Sequence, residues 1–183
     1  MIRLFDIFFS FVGLLFLSPF LILLLIIGYF DTGSPIFRQE RVGKGKQPFR
    51  LMKFRSMHVN APSVATHLAN ASSITLFGSF LRKSKLDELP QLWNVLVGDM
   101  SLVGPRPNLF NQEELIHERD SRGVYSIRPG ITGLAQINKI DMSTPKLLAE
   151  TDARMIQELN FMSYFKYILL TLFGKGFGDR IKN

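Results

Sequence analysis

The sequence contains no cysteine among its 183 residues. This absence excludes disulfide bonds, thiol catalysis and zinc sites with cysteine ligands. Only three histidines occur, His58, His67 and His117, and their spacing does not match that of metal ligands. Basic repeats interleaved with aromatics and recognised nucleic-acid-binding motifs are also missing. Nucleic acid is therefore not expected as a partner.

The charge balance is basic, with a net charge of +7 and a pI ≈ 9.9. Such a balance suits nucleic acid, an anionic membrane face or phosphorylated substrates. The length is sufficient for one domain with its own core. We find no internal repeat, coiled-coil heptad or linker to a second domain.

Charge is almost missing from the N-terminal segment, where Asp6 is the only charged residue between Leu4 and Phe30. As a helix this run would be roughly 40 Å long, enough to cross a bilayer core of about 30 Å. It is too long for a signal peptide, and no small-residue cleavage site follows it. We expect residues 1–32 to form a membrane helix and residues 33–183 a membrane-associated domain.

Ser18 and Pro19 lie in the middle of this run. The proline ring clashes with the carbonyl of Leu15 and removes one backbone donor, so the helix should kink or break there. The Ser18 hydroxyl is a candidate to satisfy the freed backbone. A kinked span and a re-entrant hairpin both remain open. Arg3 precedes the run, and the cations after it place its C-terminal side in the cytoplasm: Arg38, Arg41, Lys44, Lys46 and Arg50.

The segment from Leu81 to Pro107 concentrates the residues that suit phosphate chemistry. Three cations come first, Arg82, Lys83 and Lys85. The adjacent carboxylates Asp87 and Glu88 follow and could bind Mg²⁺ or act as a nucleophile or base. Arg106, held between two prolines, and Arg128, expected to be extended and followed by a Pro-Gly turn, are stiffened arginines for phosphate oxygens. An alternative is structural: Ser84 and Asp87 fit a helix capping box, and both arginines fit ordinary loops.

The remaining pattern predicts an α+β fold that is mostly α. Residues 35–57 read as a short β-hairpin with a Gly-Lys-Gly turn, and Pro90 should kink or restart the helix near the acids. A highly polar surface helix is expected over residues 111–122. A longer helix is expected over residues 145–173, and its later part, LNFMSYFKYILLTLF, is apolar enough to lie in the membrane interface or complete the core. Residues 60–73 read as a loop with a weak helix, and the glycine-rich tail as loose.

Several ordered motifs resemble the bacterial sugar transferase family, the monotopic phosphoglycosyl transferases. They are LDELPQLWNVLVGDMSLVGPRP, then IRPGITGLAQIN, together with SPIFRQERVG, FRLMKFRSM and the Ser-Pro pair in the apolar run. The resemblance covers nearly the whole chain. It implies a re-entrant membrane helix, a catalytic domain with amphipathic interfacial helices, and a place at the cytoplasmic face of the bacterial inner membrane, in contact with its lipids. The oligomeric state stays open.

The resemblance implies transfer of a sugar-1-phosphate from a UDP-sugar to undecaprenyl phosphate, releasing UMP and initiating glycan assembly. The sugar expected is an N-acetylated hexosamine or a deoxy derivative. Asp87 would be the nucleophile and the ligand of Mg²⁺, or of Mn²⁺, and Glu88 would assist as base or by positioning the metal. The substrate-binding residues would be Lys53, Arg55, Arg82, Arg106, Arg128 and Gln136.

The chain departs from the family pattern after Gly133. Many relatives read GWAQVNGR where this sequence reads GLAQINKI, which puts sugar or nucleotide contacts at that segment in doubt. The acidic pair is unaffected. Two rival hypotheses are a membrane-tethered basic binding module without catalysis, and a structural membrane protein in which Asp87 and Glu88 only cap a helix.

Overall fold

The computed structural model describes residues 2–61 and 71–174. Short 3₁₀ turns join the helices and strands, and the predicted α+β class with mostly helical content is confirmed. The elements are α1 Ile2–Thr32, β1 Ile36–Val42, β2 Pro48–Phe54, α2 Leu76–Ser84, α3 Gln91–Val97, β3 Ser101–Val103, α4 Glu113–Ser121, β4 Gly130–Thr132, α5 Leu134–Ile137, α6 Pro145–Glu158 and α7 Phe161–Leu172. The predicted weak helix falls largely on residues 62–70, and most of the tail on 175–183, outside the described residues.

Helix α1 has the length and composition of a membrane helix. Its 31 residues are helical on both sides of Pro19, so the chain keeps helical structure there. The Ser18 hydroxyl donates to the Leu15 carbonyl at 2.7 Å, which is the carbonyl that the proline deprives of its usual donor. Only 11% of its most apolar window is buried in the protein. A core helix would be covered, so this exposed apolar surface indicates that the protein associates with a membrane.

Both ends of α1 bind the globular part of the chain. Near its start, Arg3 donates to the carbonyls of Val95 and Leu96 at 2.6 and 2.9 Å. Near its end, the Asp31 carboxylate accepts a hydrogen bond of 2.6 Å from Thr75. The helix is thus anchored to one body at two places.

The predicted β-hairpin is confirmed. Strands β1 and β2 pair antiparallel from Ile36↔Phe54 to Val42↔Pro48, around a 3₁₀ turn at Lys44–Lys46. Phe49 and Leu51 alternate inward, as period-two geometry requires, and pack in the core with Val95 and Met100.

The proline at position 90 restarts the helix, as predicted. Helix α2 ends at Ser84, a 3₁₀ turn covers Leu86–Glu88, and α3 begins after Pro90. The predicted capping box is wrong: the Ser84 hydroxyl bonds back to the carbonyls of Phe80 and Leu81 instead. Ser84 still belongs to the last turn of α2, so it cannot cap the next helical segment.

The single helix predicted over residues 145–173 is two helices. Helix α6 ends at Glu158, and Asn160, in extended conformation, begins α7 with a reciprocal capping box to Ser163. One face of α7 is buried through Tyr164 and Tyr167, and its other face exposes Phe161, Met162, Leu169 and Leu172. The buried face of α7 therefore completes the core, and the exposed apolar face is the one available to the membrane interface. The predicted surface helix α4 also buries Leu115 and Arg119.

Candidate active site

The two predicted catalytic acids lie in the 3₁₀ turn Leu86–Glu88, which we call the acidic turn. It packs between α2 and β2, and Leu86 joins the apolar cluster formed by Leu24, Phe54 and Leu81. Because Leu24 belongs to α1, the turn sits beside the membrane helix. Asp87 is completely buried. The preceding Lys85 adopts a left-handed conformation with φ 60°, which is unusual for a residue with a side chain and is found often at functional sites.

The structure brings Glu88 and Arg106 together. Arg106 Nη2 lies 3.3 Å from Glu88 Oε1, and the side chains are only 28% and 11% exposed. Partial shielding from water makes such an ion pair stronger than one on the surface. The contact joins the acidic turn to the Gly-Pro-Arg-Pro motif, as a phosphate site built from both would require.

Arg106 lies on a loop that a buried arginine braces. Arg119 donates to the Arg106 carbonyl and to Asn108 Oδ1, both at 2.9 Å, and pairs with Asp152 at 2.7 Å. The Tyr125 hydroxyl donates to the same Asn108 oxygen. Burial raises the pKa of Asp152, and Arg119 opposes that rise. The sequence analysis missed this network. Arg119 lies in the helix expected at the polar surface, and Asp152 lies among the charged residues in the first half of the helix predicted over residues 145–173.

The other candidate cations are also held in place. Lys53 and Arg55 lie 5.8 and 5.4 Å from the Phe37 ring centre, and Arg55 Nε donates to the Ser34 carbonyl at 2.8 Å. Arg82 is buried and its Nε donates to Ser56 Oγ at 2.7 Å. These cations come from the two elements that flank the acidic turn, β2 and α2, or from the residue just after β2. Their roles toward substrate stay predictions.

Arg128 and Gln136 form hydrogen bonds to parts of the chain other than the acidic turn. Arg128 Nε donates to the Gly98 carbonyl at 2.7 Å, just beyond α3, where the helix dipole favours a cation. Gln136 Nε2 donates to the Gly104 carbonyl at 3.2 Å. A small recess beside Arg106 is lined by Ile127 and Pro129 among others, whereas Arg128 turns toward Gly98.

Two short parallel strands bring the distant motifs together. β3 pairs with β4 through Ser101↔Gly130 and Val103↔Thr132. The Pro-Gly turn predicted after Arg128 is wrong, because Gly130 is extended and begins β4. Its N–H donates to the Pro105 carbonyl at 2.9 Å. The backbone next to Arg106 is thereby fixed.

Gly130→Ala is expected to destabilise the protein by about 3 kcal/mol or more, the upper end for overpacking. A Cβ at Gly130 would lie 2.0 Å from the backbone N of Gly104, which cannot move aside like a flexible side chain. Gly123→Ala is the matched control, because its Cβ meets nothing within 4 Å. The strain of a side chain at positive φ is then the remaining cost, about 1 kcal/mol of stability. Chemical denaturation of both variants measures the difference, and equal costs would contradict the close approach.

The donor set fits a magnesium ion. In the described ranges, no group of three or more His, Asp or Glu side chains could hold a metal by itself. Mg²⁺ is commonly bound through one or two carboxylates together with substrate phosphates. Asp87 and Glu88 offer carboxylate oxygens of this kind, and a site of this type needs no histidine. The binding of Mg²⁺ stays a prediction.

Comparison with known proteins gives the family of the chain. Residues 1–176 match the bacterial sugar transferase family. The chain is 38% identical to the exopolysaccharide production protein PSS of Rhizobium leguminosarum bv. phaseoli, over 91% of this chain and 88% of that protein. It is 38% identical to the UDP-glucose:undecaprenyl-phosphate glucose-1-phosphate transferase of Escherichia coli, over 91% of this chain but 38% of that protein.

Another relative is the uncharacterized sugar transferase EpsL of Bacillus subtilis, 37% identical over 93% of this chain and 84% of that protein. The relatives thus differ in length, and the chain spans only 25% to 40% of several longer ones. The matched part includes both the membrane helix and the acidic turn. The chain belongs to the bacterial sugar transferase family and is a transferase enzyme.

Proposed function

We propose that the protein transfers a sugar-1-phosphate from a UDP-sugar to undecaprenyl phosphate and so initiates a surface glycan. The observation that carries this proposal is the Glu88–Arg106 contact beside the membrane helix. It supports a site where paired acids and a guanidinium meet at a bilayer surface. One substrate would be a soluble diphosphate and the other a lipid, so a basic membrane face suits both. Relatives are named for this transfer.

The first step proposed is attack by an Asp87 carboxylate oxygen on the phosphorus that bears the sugar. A bond forms between the carboxylate oxygen and phosphorus as the bond between that phosphorus and the bridging oxygen of the diphosphate breaks, and UMP leaves with the electron pair of the broken bond. Arg106 would offset the negative charge that develops on the phosphoryl oxygens. The result is a phospho-sugar covalently bound to Asp87.

The second step proposed is attack by an oxygen of undecaprenyl phosphate on the same phosphorus. The acyl phosphate bond breaks, the Asp87 carboxylate is regenerated, and the product is an undecaprenyl diphosphate sugar. Glu88 would accept the proton if the lipid phosphate arrives protonated. Asp87 would hold Mg²⁺, which when bound would neutralise charge on the diphosphate oxygens.

The sugar is proposed to be a hexose or its N-acetylated or deoxy derivative. The names of the relatives give glucose and galactose. The test is a panel of UDP-sugars with purified protein in undecaprenyl-phosphate liposomes, scored by UMP release and by label in the organic phase. One UDP-sugar should give both signals in equal amounts. Neither signal with any donor would overturn the proposal and favour a binding module.

We also propose that α1 enters and leaves the membrane on the cytoplasmic side. Arg3 and Asp31, at its two ends, both bind the globular body, which supports a location of both ends on one face. The Ser18 hydroxyl covers the carbonyl left open at Pro19, and that lowers the cost of a bend within lipid.

Pro19→Leu is expected to convert the segment into a span. The substitution restores a backbone donor and removes the ring clash, and the uninterrupted helix of roughly 46 Å can cross the bilayer. The chain has no cysteine, so one can be added ahead of Met1 and probed in intact cells with an impermeant thiol reagent. The parent should be protected until cells are permeabilised, and the variant labelled. Labelling of the intact parent would show that the segment spans.

A further inference from the structure

The first two turns of α1 bind the two elements that flank the Glu88–Arg106 pair in the chain. Arg3 donates to the carbonyls of Val95 and Leu96 at the end of α3, the helix that follows the acidic turn. One turn later, Asp6 accepts from Ser101 and Leu102 of β3, the strand that leads to Arg106. The membrane helix thus holds the supports of Glu88 and of Arg106 at a fixed separation.

Asp6 is the centre of this contact. It is 2% exposed, although it belongs to a helix whose other surfaces are largely apolar and exposed. Its Oδ1 accepts three hydrogen bonds, from Ser101 Oγ at 3.0 Å, from the Leu102 N–H at 2.9 Å and from the Tyr164 hydroxyl at 2.8 Å. A buried carboxylate is stable only with such donors. Burial, and next the bond to Asp6, raise the pKa of Tyr164, which therefore stays a neutral donor.

We infer that Arg3 and Asp6 are positioning residues for the transfer, which set the distance between Glu88 and Arg106. This inference rests on the proposed function. It makes the start of α1 part of the machinery that arranges the site, in addition to its role as an anchor. The effect on chemistry passes through α3 and β3, since neither residue touches the acidic turn in the described contacts.

Conservative and disruptive variants of Asp6 separate the charge from the hydrogen bonds. All three donors converge on one oxygen, so Asp6→Asn can still accept them and should keep kcat/KM within about threefold of the parent. Asp6→Leu leaves three buried donors without an acceptor and should lower kcat/KM about tenfold or more. Liposome flotation should be unchanged, because leucine is the more apolar residue. Equal losses in both variants would overturn the assignment.

A matched tyrosine pair tests the same contact from α7. Tyr164→Phe removes one donor to Asp6 and should cost about threefold in kcat/KM. Tyr167→Phe removes a hydroxyl from a similarly buried side chain that has no such bond to Asp6, and should leave kcat/KM unchanged. Equal effects would show that only the packing of α7 matters.

A double-mutant cycle distinguishes positioning from general stability. If Asp6 acts through Arg106, Asp6→Leu should cost less than about threefold in an Arg106→Lys background, because the geometry it protects is already lost. Additive losses would overturn the positioning role. Hydrogen exchange of α3 and β3 amides should rise in Asp6→Leu and not in Asp6→Asn. If the parent releases no UMP with any donor, the proposed function fails and the positioning role falls with it. Faster hydrogen exchange in Asp6→Leu would in that case show that the Asp6 contact stabilises the fold.

Discussion

Asp87→Asn is expected to fold and join the membrane but to lose UMP release by about 10⁴-fold or more, the scale seen when a nucleophile is removed. Asparagine keeps the volume of the completely buried side chain and cannot form the acyl phosphate. Because the amide is nearly isosteric with the carboxylate, the melting temperature of the variant should stay close to that of the parent. A loss of activity would then come from lost chemistry and not from unfolding. If the acids only capped a helix, the variant would stay active.

A separate labelling experiment detects the proposed intermediate directly. Parent protein mixed with labelled UDP-sugar and no lipid acceptor, then quenched rapidly, should gain the mass of one phospho-sugar, located by peptide mapping to Asp87. Glu88→Gln is the informative control. If Glu88 serves the second step, this variant should still form the adduct and then transfer it slowly. Fast turnover by the parent without any adduct would favour direct displacement by the lipid phosphate instead.

Local chemistry explains which parts of the fold could be predicted. The hairpin follows from alternation and a glycine turn, and the restart at Pro90 follows from a missing backbone donor. The Ser18 bond to Leu15 was expected for the same reason. Each of these features depends on residues within about one turn of each other. Sequence patterns carry that range of information well.

The features that could not be predicted depend on residues far apart in the chain. Arg119 and Asp152 are 33 positions apart and fully buried as a pair, yet each sits among charges typical of a solvated helix. Arg3 and Asp6 bind partners more than 90 residues away. The pairing of β3 with β4 is a further case, because parallel strands need a long connection that leaves no local signal.

The break between α6 and α7 is a different kind of error. Asn160 and Ser163 form a capping box within four residues, so a local signal was present. It was overlooked because the apolar pattern continues on both sides of Asn160. Recognition of the asparagine as an N-cap would have given two helices, with the exposed apolar surface of α7 confined to one face.

Arg106→Lys is expected to lower kcat/KM by about 10²–10³, although it preserves the charge. Guanidinium offers a planar fork that can hold Glu88 and a phosphoryl oxygen together, whereas ammonium is a mobile point charge. Loss of one donor to a developing oxyanion commonly costs about 2.7–4 kcal/mol. The main chain should not move, since Arg119 holds the Arg106 carbonyl and Gly130 holds that of Pro105.

Arg154→Lys is the matched control for this substitution. Arg154 lies on α6 in an exposed ion pair with Glu158, with its side chain 71% exposed, and such pairs contribute little. Its kcat/KM should equal that of the parent when both are measured with the preferred UDP-sugar in the same liposomes. If Arg106→Lys also turns over at the parent rate, the guanidinium fork is not used, and Arg106 would have to be reassigned from phosphate binding to support of Glu88 alone.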